Sequence, residues 1–495
     1  MTRIPTFAIL GEPNAGKTTV VATLSEMDNA DISPIPGTTK VCRTFPVIFD
    51  DKEVMRFIDT PGFENPLETL EWFEAHEHDG CPLAEKFRNE HPNSKEFERE
   101  CELMKPLAEG AAVIYVVDGS EAVNQKDRAH MEILRLASPP ARPRVAVINS
   151  HHDNLKHIEQ WKNALGKTFN IIHTFNAHSA TFTDRLELLR DIRGVNQEWK
   201  PTLDACIAAF QRNWDERIAQ SAEAICTLLK DCLACFESEQ LARGETDDGV
   251  SAKVEKRVKD KIRENEERFR KGIRRSFRHT RISGPTLDLN LDDDLFSKET
   301  VSVFGMSKYL LAGVSASITA TLAAMGDVAA GGASLGLFAA GGFVLGGIAG
   351  YWGANRLISV EVPSLLRPIL PGRMKTHGRC ITARPSPLSN LPWVLINRSI
   401  EFFHWASTWS HGRTDQPAAI IQADVRKASN TNNWTKEQRE TAQRFIALAL
   451  ATIETGAMEK LKQYMPGKKL TPETVEREMR ETLIAVLKTM TGFKR

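Results

Sequence analysis

The sequence predicts an α/β domain with a mostly parallel sheet over residues 1–198, followed by a mainly α-helical region. Three observations carry this prediction. Short apolar runs of strand length alternate with helical patterns in the first part of the chain, which is typical of parallel sheets covered by helices. A glycine-rich turn directly follows the first apolar run. From Thr202 onward the apolar residues recur at intervals of three and four, the spacing of one helix face.

Length and composition limit the classes of protein to which this chain can belong. Its 495 residues are enough for about three domains. The 64 basic and 64 acidic side chains balance, so net charge lends no support to a ribosome or RNA partner but leaves one open. The eight cysteines are scattered, which favours a cytoplasmic location. Cys232 and Cys235 lie in a helical apolar pattern, which favours a core role over zinc binding.

The apolar run Phe7–Leu10 is short enough for a buried strand, and it leads directly into a loop typical of phosphate binding. The loop fits the pattern G-x-x-x-x-G-K-[ST], in which backbone N–H groups and a helix N-terminus surround phosphate oxygens. The members of this phosphate loop are Gly11, Glu12, Pro13, Asn14, Ala15, Gly16, Lys17 and Thr18. Lys17 is expected to reach the outer phosphates and Thr18 to ligate the bridging Mg²⁺, with Thr19 beside them in the nucleotide site.

Two downstream segments are candidates for sensing the terminal phosphate. The loop Ser33–Lys40 contains Pro-Gly-Thr-Thr, and a mobile loop of this kind can bring a threonine hydroxyl to magnesium. Two strand-like runs, Thr44–Phe49 and Val54–Ile58, then lead to an Asp-Thr-Pro-Gly sequence. Asp59 leaves a buried strand and is expected to hold the magnesium through water, while the N–H of Gly62 contacts the terminal phosphate.

Together, the three motifs resemble those of the TrmE/Era-like branch of the small GTPases. The resemblance covers residues 1 to about 195 and implies an α/β P-loop NTPase fold of the Ras-like G-domain type, with GTP or GDP and Mg²⁺ as cofactors. It also implies that Asn14 helps to hold K⁺ against the phosphates. Phe63 stands where Ras-like enzymes carry a water-positioning Gln, so hydrolysis requires a cation, a backbone group or a partner. The implied Mg²⁺ ligands are Thr18, Thr39 and Asp59, and the implied catalytic residues are Lys17, Thr39 and Gly62.

The base-reading loop departs from the family pattern. After the strand-like runs Ala111–Val117 and Arg144–Asn149 the family has Asn-Lys-x-Asp, whereas this chain has Asn-Ser-His-His-Asp. A carboxylate that accepts from two N–H donors of guanine determines base choice, because adenine lacks that pair. Asp153 is the candidate but comes one residue late, so guanine is expected and ATP use is an alternative. The residues assigned to the base site are Asn149, Asp153, Asn176 and Ala177.

Residues 64–109 form an insertion between Gly62 and the next strand, longer than a switch loop requires. The insertion is acidic, with eleven Asp or Glu against five Lys or Arg between Leu67 and Lys105. The apolar spacing predicts one helix around Phe73 and a second over Ser94–Leu107. The insertion is either a solvated decoration or a docking surface for a protein partner.

Beyond residue 198 the sequence predicts three parts. Residues 199–300 form a charged helical region, with a helix from Thr202 to about Leu241 and a second helix whose latter half is strongly basic. Residues 301–358 form a glycine-rich apolar hairpin, whose uncharged segments approach the length needed to span a bilayer. Residues 359–495 form a C-terminal helical domain in which no catalytic constellation is recognisable.

The glycine-rich hairpin has two interpretations. Insertion into a membrane, or reversible association with one, agrees with its lack of charge and with the preceding basic helix, which would contact an anionic membrane surface. The protein would then be peripheral or integral at the cytoplasmic membrane. A buried hairpin in a soluble domain is the alternative, because Gly and Ala are only mildly apolar residues.

The motifs therefore predict a GTP-binding protein that hydrolyses GTP slowly and acts as a nucleotide-dependent switch on its helical half. An alternative of another class is a nucleotide-gated membrane or scaffold protein with little hydrolysis. That alternative agrees with Phe63 and with the altered base-reading loop.

Overall fold

The computed structural model describes residues 4–26, 40–49, 51–138, 142–149, 156–176, 180–240, 247–279, 358–362, 380–384, 391–411, 431–451 and 471–491. The predicted glycine-rich hairpin lies almost entirely outside these residues, as do Thr39, Asp153 and Ala177. The chain divides into two compact units. The first contains the described residues up to Glu216, with short segments beginning at Arg278 and Ser407, and the second contains the other described residues from Arg217 onward.

The first unit is built on a six-stranded sheet with the strand order β2-β3-β1-β4-β5-β6. The strands are β1 Thr6–Leu10, β2 Arg43–Phe49, β3 Lys52–Asp59, β4 Ala112–Asp118, β5 Arg144–Asn149 and β6 Ile171–Phe175. β2 pairs antiparallel with β3 at one edge, and every other pair is parallel. The central strands are almost continuously apolar and buried, as strands covered on both faces must be. The predicted α/β fold with a mostly parallel sheet is confirmed.

Helices cover both faces of this sheet. Tyr115 of β4 packs on one face in an apolar core to which five helices contribute, whereas Phe7 points to the opposite face and meets Trp199 edge to face, with ring centroids 5.3 Å apart. Asn124 and Thr181 each begin a helix with a capping box. The helices concerned are α1 Lys17–Ser25, α5 Gln125–Ala137, α6 Ile158–Leu165 and α7 Phe182–Val195. Parallel strands flanked in this way bring their carboxyl ends, and the loops that follow, to one edge of the sheet.

The insertion at 64–109 is part of the core of the first unit. Its helices are α2 Pro66–Ala75, α3 Leu83–Glu90 and α4 Glu98–Ala108. Phe73 and Phe87 stack with ring centroids 5.4 Å apart, and both belong to the apolar cluster that contains Tyr115. The interpretation as a purely solvated decoration is therefore wrong for the apolar face of the insertion. Helix α3 was not predicted from the sequence, and α4 was predicted to begin at Ser94 rather than at Glu98. The apolar repeats in this acidic stretch are too short to mark helix ends.

A buried carboxylate ties the insertion to the segment that follows the Asp-Thr-Pro-Gly motif. Glu100 of α4 is 0% exposed, and its Oε1 accepts hydrogen bonds from the backbone N–H groups of Glu64 at 2.7 Å and Asn65 at 2.8 Å. These N–H groups come just before α2, where a helix start leaves donors that need partners. Glu100 therefore fixes the backbone immediately after Phe63.

Changing Glu100 to Gln is expected to lower the free energy of unfolding by about 2 kcal/mol, because a neutral amide replaces the charged acceptor of two hydrogen bonds. Urea denaturation followed by circular dichroism measures this. Glu98→Gln is the matched control, since Glu98 lies in the same first turn of α4 but is exposed. Its expected change is below about 0.5 kcal/mol. Equal stability of the two variants would contradict the anchoring role of Glu100.

The elements beyond α7 include a small second sheet. They are α8 Lys200–Leu233, β7 Glu237–Gln240, α9 Asp247–Ser276, β8 Ile358–Val362, β9 Cys380–Arg384, α10 Leu391–Thr408, a 3-10 turn at Thr431–Asn433, α11 Lys436–Ala451 and α12 Pro472–Met490. The small sheet is antiparallel, with the order β7-β9-β8. The predicted helical character of this half is confirmed for the described residues.

The helix predicted from Thr202 to about Leu241 is wrong at its C-terminal end. α8 stops at Leu233, and the following strand β7 pairs with β9 far along the chain. Such a distant partner leaves no signal in the local apolar spacing. Cys232 and Cys235, at this end of the helix, are buried, and burial raises the pKa of both thiols, in agreement with the predicted core role.

The basic latter half of α9 is partly neutralised within the second unit. Arg270 and Arg398 each lie 2.9 Å from the carboxylate of Glu266, and Arg274 lies 2.8 Å from Glu267. These ion pairs reduce the positive charge that α9 can offer to a lipid headgroup. Within the part of the chain that the structure describes, no helix combines the length and the apolar character required to cross a bilayer.

Candidate nucleotide-binding site

The phosphate loop turns from β1 into α1 through residues with positive φ. Gly11 has φ 150°, Asn14 has φ 68° and Gly16, the N-cap of α1, has φ 86°. Gly tolerates such angles without strain, and Asn tolerates the left-handed region better than most residues. The loop therefore has the backbone form that its glycine pattern predicts, and it ends at a helix N-terminus suited to an anion.

Two glycines let neighbouring segments approach the phosphate loop closely. A Cβ atom on Gly11 would lie 2.2 Å from the backbone oxygen of Val116 in β4. A Cβ atom on Gly62 would lie 2.9 Å from the ring and nitrogen of Pro13. The Asp-Thr-Pro-Gly segment consequently lies directly against the phosphate loop, as the sequence predicted.

Lys17 is folded back onto the loop. Its side chain is 7% exposed, and its Nζ donates to the backbone oxygen of Gly11 at 3.1 Å and to that of Glu12 at 2.8 Å. Burial lowers the pKa of Lys17 to about 8, against the opposing effect of the charges of Asp59 and Glu12. The ammonium group is thus held inside the loop by hydrogen bonds that a phosphate oxygen can replace.

The two described members of the predicted Mg²⁺ set lie in contact. The hydroxyl of Thr18 donates to Oδ2 of Asp59 at 2.9 Å, and Asp59 is 1% exposed at the end of β3. The adjacent Thr60 hydroxyl donates to the backbone oxygen of Ile9 at 2.7 Å, which holds β3 against β1. A hydroxyl and a carboxylate oxygen are ligands that Mg²⁺ prefers, so this pair fits the predicted ion.

The base-reading residues are only partly described. Asn149 ends β5, is 0% exposed, and donates from Nδ2 to the backbone oxygen of Ala15 at 3.1 Å. It therefore connects the base-reading loop to the phosphate loop. Asn176 is half-buried just beyond β6, and Thr19 is buried in α1. Asp153 and Ala177 lie outside the described residues, so the effect of the altered motif on base choice stays a prediction.

A cluster of ionisable side chains behind the phosphate loop was not predicted from the sequence. Glu12, Asp127 and His130 each bring one oxygen or nitrogen atom within 4.8 Å of the others. Phe63 stacks on the His130 ring with centroids 4.3 Å apart and an interplanar angle of 22°. The available signal was Asp-x-x-His at the start of α5, because residues three apart share a helix face. The contact with Glu12 is a tertiary one that no local pattern contains.

The fold and the phosphate-loop geometry define a class of protein. Residues 6–150 match the family described as 50S ribosome-binding GTPase, so the first unit contains a GTP-binding G domain, as the resemblance to TrmE/Era-like GTPases implied. Residues 162–466 match the family described as Domain of unknown function (DUF3482). Because this second match covers more than half of the chain, the protein belongs to the DUF3482 family.

Several similar proteins each match only part of this chain. GTPase Der of Nostoc punctiforme is 26% identical over 186 residues, which are 37% of this chain and 35% of that protein. The tRNA modification GTPase MnmE of Mycoplasmoides gallisepticum is 34% identical over 64 residues, which are 13% of this chain and 14% of that protein. The crystal structure of an Aquifex aeolicus Era variant bound to GDP·AlF4⁻ is similar to 55% of this chain and 89% of its own, at 17% identity and a TM-score of 0.28.

Proposed function

We propose that the first unit binds GTP with Mg²⁺, hydrolyses it slowly, and acts as a nucleotide-dependent switch on the DUF3482 region. The contact between the Thr18 hydroxyl and the Asp59 carboxylate is the observation that carries the proposal. It joins the phosphate loop to the strand that precedes the Asp-Thr-Pro-Gly motif, and an ion held there would report the nucleotide state to Gly62.

The residues assigned to binding have separate roles in this proposal. The loop backbone and Lys17 hold the phosphates, Thr18 and Asp59 hold Mg²⁺ together with Thr39, and Asn149 supports the base-reading loop through Ala15. Magnesium supplies charge neutralisation on the phosphate oxygens when bound. Asp153, together with Asn176 and Ala177 of the loop after β6, provides guanine selectivity.

Slow hydrolysis follows from the position of Phe63. Its ring is buried and stacked on His130, so no polar side chain at this position orients an attacking water. Single-turnover hydrolysis of GTP with Mg²⁺ tests the enzymatic part of the proposal. No cleavage with either K⁺ or Na⁺, combined with tight GTP binding, would favour the alternative of a nucleotide-gated scaffold.

Competition between labelled GDP and unlabelled GTP or ATP tests base choice, and displacement by ATP would overturn the guanine assignment.

Asn14 is proposed to help hold K⁺ against the phosphates, because it matches the asparagine with that role in TrmE/Era-like GTPases. Changing Asn14 to Gly is expected to reduce the ratio of single-turnover rates in K⁺ and Na⁺ to about one. Gly is the suitable replacement because it accepts the φ of 68° at this position without strain. Asn93→Gly, at an exposed position in the insertion, is the control and keeps the wild-type ratio. Undiminished K⁺ stimulation in the Asn14 variant would rule out this role.

The nucleotide state is proposed to act on residues 199–495, for which the sequence predicts an anionic membrane surface as partner and the insertion at 64–109 offers a protein-docking surface. Flotation of the full chain with vesicles containing phosphatidylserine, loaded with GDP or with a non-hydrolysable GTP analogue, tests the membrane partner. Nucleotide-dependent flotation supports it, whereas absence of flotation in both states removes it. A ribosomal partner gains no support from the balanced charge of the chain.

A further inference from the structure

We propose that Glu12, Asp127 and His130 form a site for a divalent transition-metal cation, Zn²⁺ or Mn²⁺, directly behind the phosphate loop. The three residues bring one ligand atom each within 4.8 Å of one another. Bonds of about 2.0–2.2 Å to a tetrahedral centre place ligand atoms roughly 3.4 Å apart, so small rotations about side-chain bonds close the site. None of these side chains belongs to the set assigned to Mg²⁺ or K⁺.

His130 provides the observation that points to a ligand. Its side chain is 1% exposed, and among the described residues its Nε2 has no hydrogen-bond partner. The other ring nitrogen, Nδ1, lies 3.3 Å from the hydroxyl of Tyr115. If Nδ1 carries the proton and donates to this hydroxyl, Nε2 presents a lone pair, as in histidine ligands oriented by a second hydrogen bond. A neutral imidazole nitrogen of this kind is a common metal ligand.

The carboxylates are placed to complete the site. Asp127 and His130 lie three residues apart in the first turns of α5, so their side chains share one face of that helix. Oδ2 of Asp127 accepts the N–H of Asn124 at 2.9 Å, which orients the carboxylate. Glu12 comes from the phosphate loop, opposite α5. The site therefore joins two segments that the sheet brings together and the chain keeps far apart.

The charges around the cluster have both signs. Glu121 adds negative charge beside Glu12 and Asp127, whereas Lys17 and Lys126 add positive charge beside Glu12 and His130. Two mutually repelling carboxylates are stabilised by a cation between them. The alternative is that the lysines alone balance this charge and no metal binds.

The donor set selects the type of ion. One imidazole nitrogen with two carboxylate oxygens suits Zn²⁺ or Mn²⁺, whereas Mg²⁺ prefers oxygen ligands and retains several waters. Because Phe63 stacks on the His130 ring, an ion on this histidine would also fix the residue that follows Gly62.

Calorimetric titration of the metal-stripped full chain with Zn²⁺ and, separately, Mn²⁺ tests the site, with GDP and Mg²⁺ saturating so that the nucleotide site is filled. Wild-type protein is expected to bind one equivalent of metal ion. The affinity is expected to fall in Glu12→Gln, Asp127→Asn and His130→Gln by more than the roughly 10–100-fold that is typical when a ligand loses its supporting hydrogen-bond partner. Each replacement is close in shape to the native side chain. Co²⁺ substitution gives a second readout, because its visible absorption spectrum reports nitrogen and oxygen coordination.

His173→Gln is the matched control, since His173 lies on the edge strand β6, pairs with Asp191 of α7 and is absent from the cluster. This variant is expected to bind one equivalent of metal ion, as wild type does. The comparison also corrects for adventitious metal binding to cysteines. The proposal would be overturned if the wild-type protein bound neither Zn²⁺ nor Mn²⁺. It would also be overturned if any of the three cluster variants kept the wild-type affinity for the metal ion. GDP binding measured on the same samples keeps this result distinct from failure of the nucleotide site, because Asp127 and His130 have no assigned role in holding nucleotide.

Discussion

Replacing Lys17 by Met is expected to weaken GTP and GDP binding by a factor of about a hundred or more, the loss typical when one partner of a desolvated charge pair is removed. Stability of the nucleotide-free protein should change little. The substitution removes two hydrogen bonds from the ammonium group to backbone oxygens. It also removes the unfavourable burial of a charged group, the burial that lowers the pKa of Lys17 to about 8. Titration with fluorescent GDP measures affinity, and urea denaturation without nucleotide measures stability.

The control for this prediction is Lys52→Met, which removes an exposed lysine at the start of β3. It should leave nucleotide affinity unchanged. The two readouts together separate a binding role from a structural one. Wild-type affinity in the Lys17 variant would contradict the phosphate assignment, whereas loss of both affinity and stability would show that Lys17 mainly supports the folded loop.

Replacing Gly11 by Ala is expected to destabilise the first unit by about 3–5 kcal/mol. The added Cβ would lie 2.2 Å from the backbone oxygen of Val116. This oxygen belongs to a central, closely packed strand, which can move only at a large cost in free energy. The φ of 150° at Gly11 adds backbone strain for any other residue. Urea denaturation and the yield of soluble protein measure the effect.

Gly194→Ala is the control for this substitution. Gly194 lies near the end of α7, and a Cβ there would have no neighbour within 4 Å. Because Ala is the better helix former, this variant is expected to be as stable as wild type or up to about 1 kcal/mol more stable. A Gly11 variant with wild-type stability would show that β4 can move away from the phosphate loop.

The sequence alone determined the parts of this protein that depend on local pattern. The order of apolar runs predicted the parallel sheet, and the spacing of Gly11, Gly16 and Lys17 predicted the phosphate loop, because the turn from strand to helix needs those residue types in succession. The Asp-Thr-Pro-Gly sequence likewise predicted that Asp59 would face the phosphate loop, and its carboxylate accepts a hydrogen bond from Thr18 of that loop.

Only the tertiary structure decided the features that depend on distant partners. The acidic insertion proved to share the domain core through Phe73 and Phe87, and strand β7 formed because β9 pairs with it. The cluster behind the phosphate loop arises in the same way, since Glu12 meets His130 only when β1 and α5 are packed. Local pattern records the preference of each segment for helix, strand or turn. It does not record which buried groups from separate segments come into contact, and that contact is what creates a site.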